Sequence, residues 1–187
     1  MQTLNDINFC RYEIKKSIFI AYAAPISEFD ALRAKLKVQH PKAAHIVWAY
    51  RGLNEYSQIV ENGSDDGEPK GTSAQSILNV LRGAEFVNIC VLVVRYFGGV
   101  KLGTGGLVRA YGTAAKIVLD EAKTYFYEQK EEFIFACKYA FVPRAEHFLQ
   151  KLGVEFENRT FGFDEVVWHL QLTARQKEEL ADFLAQF

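Results

Sequence analysis

Apolar and polar positions change period several times along this chain of 187 residues, and each change marks an element. From Arg11 to Ala24, polar residues alternate with β-branched and aromatic ones, which predicts a strand closed by Pro25. Phe29, Leu32 and Leu36 then recur at helical spacing. They predict an amphipathic helix over 28–38, capped by Ser27 and Asp30 and ending before His40 and Pro41, where proline disfavours continuation. Residues 43–50 and 55–61 read as the two strands of a hairpin turning at Arg51, Gly52, Leu53 and Asn54. Thr72 with Gln75 offers a capping box for a helix that Gly83 ends. The run 87–94 is nearly all apolar, as a central strand buried on both faces requires, and a glycine-rich segment then leads into a helix over 106–122.

The last third predicts a strand over 131–141, a helix over 143–152, strands over 154–160 and 165–172, and a helix over 174–185. Pro143 suits a first helical turn, Gly153 a C-terminal cap, and Thr173 with Gln176 a second capping box. This βαββα order predicts a small ferredoxin-like domain over 125–187 behind a first domain over 1–124. Phe133, Phe135, Phe141, Phe148, Phe156, Phe161, Phe163, Trp168, Phe183 and Phe187 mostly follow strand or helix periodicity and are expected in its core.

Composition narrows the class. Hydrophobic residues make up 49% and charged residues 24%, which sets disorder and fibrous repeats aside. A net charge of −1 argues against a surface dominated by polyanion binding, though not against a local patch. The charge is unevenly shared: Lys and Arg number 15 against 12 acids over 1–124, and 7 against 11 over 125–187, or +3 and −4. Cys10, Cys90 and Cys137 lie far apart and form no metal-binding or disulfide spacing, so buried thiols are expected. The N-terminus has no basic segment followed by an apolar stretch, and no apolar run approaches the ~20 residues of a membrane span. A cytoplasmic protein without membrane contact is expected.

The richest chemistry lies between residues 95 and 111. Arg95, Tyr96 and Phe97 are followed by Gly98, Gly99, Lys101, Gly103, Gly105, Gly106 and Arg109, so that five of the chain's 13 glycines sit at one strand-to-helix junction. Glycine allows close backbone approach, and the free N–H groups at a helix start can receive an anion. Between Glu85 and Asp120 there is no acid, only Arg95, Lys101, Arg109 and Lys116. Aromatic rings among such cations are what single-stranded nucleic acid uses, bases stacking while cations hold phosphates. The segment matches neither the Walker loop nor the dinucleotide-binding fingerprint. A second cluster, Asp65, Asp66 and Glu68, places three carboxylates within four positions. Such oxygen ligands could hold magnesium, but capping of turns or pairing with the glycine-loop cations is the expected role, and no metal is assigned. His45, His40, His147 and His169 show no partner at ligand or triad spacing, and no catalytic residue is assigned.

Taken together, the motifs resemble a known family. Ser64-Asp65-Asp66-Gly67-Glu68-Pro69 with Gly71-Thr72, Val94-Arg95-Tyr96-Phe97-Gly98-Gly99, Lys101-Leu102-Gly103 and Gly105 to Tyr111 are similar to the signature of the IMPACT family, in its bacterial YigZ-like branch. Lys16-Ser17, Phe19-Ile20-Ala21, His40-Pro41, His45 and Ala49-Tyr50 extend the likeness over nearly the whole chain. Ile46-Val47-Trp48 and Ser73-Ala74-Gln75-Ser76 depart from the usual pattern. The resemblance implies an α+β protein, a ribosomal protein S5 domain 2-like domain followed by a ferredoxin-like domain similar to domain V of elongation factor G. It also implies a broad link to translation. The leading expectation is a non-enzymatic RNA- or ribosome-binding factor without a cofactor, in which Arg95, Lys101 and Arg109 contact phosphate and Tyr96 or Phe97 stacks. The rival is a nucleotide- or phosphoester-processing enzyme with phosphate on the glycine loop and magnesium on the acidic one. A third reading is a protein-interaction module of unknown partner.

Overall fold

In the computed structural model, which describes residues 1–186, the chain forms two compact units, Met1–Tyr127 and a second that begins at Glu128. The first unit is built on a five-stranded antiparallel sheet of β2 (Asn8–Ile14), β3 (Ser17–Pro25), β4 (His45–Leu53), β5 (Ile59–Ser64) and β6 (Ile89–Tyr96), in the order β2-β3-β6-β4-β5. A short strand β1 (Gln2–Thr3) pairs with β7 (Tyr125–Phe126), so the boundary expected at 124/125 falls just before a strand that belongs to the first unit.

Helix α1 (Phe29–Gln39) covers one face of the sheet, and α2 (Ala74–Gly83) with α3 (Thr104–Glu121) covers the other. The alternation of β6 feeds both layers. Ile89, Val91 and Val93 pack towards α2 and α3, while Cys90, Leu92 and Val94 pack towards α1 with Leu32, Leu36, Ile46 and Trp48. A strand with helices on both faces has no side left for water, which is why this segment is apolar at every position from 89 to 94.

Several boundaries differ from the sequence-based expectation for identifiable reasons. The single strand expected over 11–24 is a hairpin, with Ile14 opposite Ser17 and a two-residue turn at Lys15 and Lys16. Both turn residues have positive φ (46° and 66°), a conformation normally signalled by Asn or Gly, so two lysines gave no warning. The second hairpin closes later than expected, with Leu53 opposite Ile59. Its loop is organised by Asn54, whose side-chain oxygen accepts the N–H groups of Tyr56 and Gln58. Ser27 and Asp30 make no cap on α1, which is entered through a 3-10 turn over Ile26–Glu28.

The second unit holds β8 (Lys130–Lys138), α4 (Val142–Lys151), β9 (Arg159–Phe161), β10 (Glu165–Thr173) and α5 (Ala174–Leu184), with its three strands antiparallel in the order β8-β10-β9. The strand expected over 154–160 shrinks to the three residues of β9. Val154 is buried and Phe156 packs partly into the same core, anchored by side chains rather than by a ladder. Trp168 stacks on Phe135 at 5.6 Å between ring centres and dominates that core. Phe161 and Phe163 are exposed instead, because they sit on the short edge strand and the turn after it. Phe187 lies outside the described residues.

The capping box expected at the last helix forms in full: Thr173 Oγ1 accepts from Gln176 N, and Gln176 Oε1 accepts from Thr173 N. Replacing Thr173 by Ala leaves a start without its reciprocal bonds. The variant should lose about 1 kcal/mol of stability in urea unfolding, with an unchanged m-value.

Candidate functional site

The end of β6 delivers its last two side chains to opposite faces of the sheet. Arg95 points to the side of α2 and α3, in a cross-strand row with Phe19 of β3 and His45 of β4. Its guanidinium lies 5.5 Å from the centre of the Phe19 ring and 5.7 Å from that of Phe97. Tyr96 points the other way, where its hydroxyl meets His40 Nδ1 at 2.8 Å. The two aromatics expected to offer stacking beside the glycine loop therefore separate: Phe97 stays, half exposed at 52%, and Tyr96 joins the α1 side. The cause is the two-residue period of a strand, which forces neighbours apart.

The acidic loop meets this point. Glu68, 8% exposed, accepts a hydrogen bond on Oε1 from Arg95 Nη1 and another, 2.8 Å long, from the Tyr111 hydroxyl of α3. Burial pushes the Tyr111 phenol far above its usual range, and the negative charge of Glu68 pushes it the same way. His45 Nε2 stands 4.0 Å from Glu68 Oε2, and its Nδ1 donates to the Asp66 carbonyl at 2.7 Å. Asp66 Oδ2 accepts from Ile46 N at 2.6 Å, fastening the loop to the start of β4. Asp65 supplies the cap of α2, its two oxygens accepting from the N–H groups of Gly71, Ser73 and Ala74. That replaces the capping box expected from Thr72 and Gln75, because a carboxylate eight residues upstream reaches the helix start first.

The three carboxylates thus do three separate jobs on protein groups and do not converge. Among the described residues no cluster of three His, Cys, Asp or Glu side chains is placed to hold a metal ion.

The glycine loop takes its course from backbone constraints. A Cβ on Gly98 would stand 2.0 Å from the Lys16 carbonyl carbon, so the loop crosses the β2–β3 turn at a separation only glycine permits. Gly98 N–H donates to the buried Ser17 hydroxyl at this crossing. Gly103 takes φ 72° at the N-cap of α3, and no side chain caps that helix. Gly99 also has positive φ, while Gly105 and Gly106 lie in the first turn of α3. Between loop, helix start and acidic segment lies a cleft of about 370 Å³, lined by Glu68, Arg95, Phe97, Lys101, Gly103 and Thr104 among others.

The four cations of the acid-free stretch sort into spent and free. Arg95 is paired with Glu68, and Lys116 with Asp120 at 2.9 Å. Lys101 and Arg109 are exposed, and among the described residues neither has a carboxylate within 4.0 Å.

The profile of the Impact N-terminal domain family matches residues 15–119, more than half of the chain. This chain belongs to the IMPACT family. An IMPACT family member of Haemophilus influenzae is 36% identical over 152 residues, covering 80% of this chain and 74% of that protein. The IMPACT family member YigZ of Escherichia coli is 33% identical over 180 residues, covering 94% of this chain and 87% of its own. A crystal structure of a hypothetical protein superposes with a TM-score of 0.74 at 30% identity, covering all of this chain and 91% of that one. The family match contains the whole site, from Ser17 through His45 and Asp65–Glu68 to Tyr111, and ends before the second unit. Among the described residues no helix is long and apolar enough to cross a membrane.

Ser17, Phe19 and His45 also belong to this constellation; they share in the family likeness, but nothing in their local pattern gives them a place beside Arg95. The signal for His45 is its register opposite Arg95, which exists only once the strands are paired.

Two measurements test the account. Gly98→Ala forces the Lys16 backbone aside and should cost about 1–3 kcal/mol or more in urea unfolding. In alkali, Cys90, pushed by burial from 9.0 to about 12, and Tyr111, raised above 10.0, hold their protons longer in the folded chain than in the unfolded one. The Cys90 contribution is complete below pH 9 and lost as pH climbs through about 12, and that of Tyr111 starts to fall above pH 10, so stability should fall from pH 9 upward. Tyr111→Phe should remove the part that sets in above pH 10 and lower stability at neutral pH by about 1.5–3 kcal/mol.

Proposed function

We propose that the surface formed by Phe97, Lys101 and Arg109 binds single-stranded RNA, and that the protein acts as a non-enzymatic RNA- or ribosome-binding factor linked to translation. The observation that carries this reading is the exposed Lys101 lining one cleft with the half-exposed Phe97, with the exposed Arg109 reaching back over Gly105 at the start of α3, on a stretch that has no acid from 86 to 119. Unpaired cations lose little on releasing their counterions to bind phosphate, and an exposed ring offers a base a face to stack on. Arg95 contributes differently from the two surface cations: its charge is committed to Glu68, so it shapes the floor of the cleft. The assignment of the first unit to the S5 domain 2-like fold agrees with this reading. So does a ferredoxin-like second unit, which the βαββα order and the β8-β10-β9 sheet favour. The enzymatic alternative draws less support, since Asp65, Asp66 and Glu68 are each engaged by backbone N–H groups or by Arg95 and Tyr111.

Fluorescence anisotropy with a labelled single-stranded oligoribonucleotide, titrated at several salt concentrations, tests the proposal. Binding should weaken with salt, and Lys101→Ala with Arg109→Ala should flatten the log–log slope by about 1.4, two contacts at ~0.7 each. Affinity that ignores salt, or a double variant that binds as wild type does, removes the reading.

A further inference from the structure

We propose that β8 is a dimerisation edge, at which two copies of this chain pair their β8 strands antiparallel about a two-fold axis beside Phe135. The inference goes beyond the RNA reading: it concerns the second unit and uses none of the cations of the glycine loop.

The edge itself is the first observation. Among the described residues β8 pairs with β10 alone, so the backbone groups on its outer side enter no ladder. Its nine residues make it longer than the other edge strands, β2 with seven, β5 with six and β9 with three. It follows β10 from Lys130 opposite Thr173 to Lys138 opposite Glu165 without a bulge. Edges that must stay unpaired are usually shortened, bulged, or broken by a proline or a charge. The middle of β8 is Phe133-Ile134-Phe135-Ala136-Cys137, with none of these devices. Phe133, Phe135 and Cys137 face the core, while Ile134, 53% exposed, and the exposed Ala136 lie on the opposite face.

Self-complementarity selects a second copy as the occupant. A two-fold pair that keeps the helices of both copies on one side sets each residue opposite one of its own face, which leaves three centres near the middle of the strand. Centred on Ile134, Lys130 meets the partner's Lys138, and like charges oppose each other. Centred on Phe133, Glu132 meets the partner's Ile134 and Glu131 the partner's Phe135, so acids are set against apolar groups. Centred on Phe135, Glu132 meets the partner's Lys138 and Ile134 the partner's Ala136, each contact occurring twice. On the helix side the same register sets Phe133 opposite the partner's Cys137. Beside Cys137 lies a cavity of about 330 Å³, lined also by Ala136, Lys138, Phe141 and Ala145, within reach of an incoming phenylalanine ring. Within its own chain Glu132 stands 3.7 Å from His169 Nδ1, and Lys138 lies opposite Glu165, so a test must separate these contacts from those between copies.

Exchange of charge between copies does so. The full chain is followed by sedimentation velocity from micromolar to hundreds of micromolar concentration, with far-UV circular dichroism as the check on folding. Glu132→Lys and Lys138→Glu are measured singly and as a mixture. Each variant alone sets like charges together at both contacts of its homodimer, whereas the mixed pair has opposite charges at both. The expected result is that wild type dimerises with rising concentration, that each variant alone raises the dissociation constant about tenfold, and that the mixture dimerises as wild type does. Hydrogen exchange on wild type reads the same edge without a substitution, and the outward amides of β8 should slow as the dimer forms. A protein that stays monomeric throughout overturns the proposal and leaves the edge to a strand of another protein. A dimer indifferent to both substitutions, or weakened by each and not rescued in the mixture, places the contact elsewhere and overturns it. A dimer whose β8 amides exchange as they do in the monomer overturns it as well.

Discussion

A carboxylate buried between an arginine and a tyrosine holds the first unit's loops in place. Glu68 belongs to a loop, Arg95 to the central strand and Tyr111 to the helix that follows, and one oxygen atom receives hydrogen bonds from both partners. Removing a charge from water is costly, and it becomes tolerable only when opposite charge and donors take the place of water. Without Arg95 the carboxylate would be an uncompensated ion in the interior, and without Tyr111 its oxygen would lose a second donor. The loop, the strand end and the helix are therefore fixed together, and the cleft they border takes its shape from that requirement.

The neighbouring contacts extend the same constraint outward. Asp65 caps α2 and Asp66 ties the loop to β4, so the two carboxylates before Glu68 anchor it in the backbone while Glu68 itself turns inward. Phe19 lies under the Arg95 guanidinium and meets the Tyr111 ring edge-on at 5.1 Å, giving the polar trio an aromatic floor. On the other side Gly98 brings the glycine loop against the β2–β3 turn with no room for a side chain. Between these anchors the loop carries Lys101 at the surface and hands its free N–H groups to the start of α3.

Helix periods were readable because each helix buries one stripe of side chains: α1 and α5 lie within a residue or two of where spacing puts them. The central strand β6 was readable for the opposite reason, since burial on both faces removes its polar positions altogether. The tight turn at Lys15 and Lys16 was not, because lysine carries no preference for left-handed backbone and the neighbouring strands support the turn from outside. The cap of α2 escaped for a related reason, as its acceptor, Asp65, is distant in sequence and local only in space.

By itself the sequence determined that the chain is a two-part α+β protein of the IMPACT family, with a cationic glycine loop between a buried strand and a helix and an acidic loop before it. Periodicity and the run of glycines are local properties, and local properties survive without knowledge of the fold. Which charges remain free was decided only by tertiary structure. Strand alternation sent Tyr96 to one face and Arg95 to the other, strand register placed His45 beside Arg95, and burial committed Arg95 to Glu68. Of the four cations in the acid-free stretch, Arg95 pairs across the fold with Glu68 and Lys116 pairs within its own helix with Asp120, which leaves Lys101 and Arg109 without a carboxylate partner among the described residues. An ion pair depends on distance through space, and distance through space is what a linear order of residues leaves open.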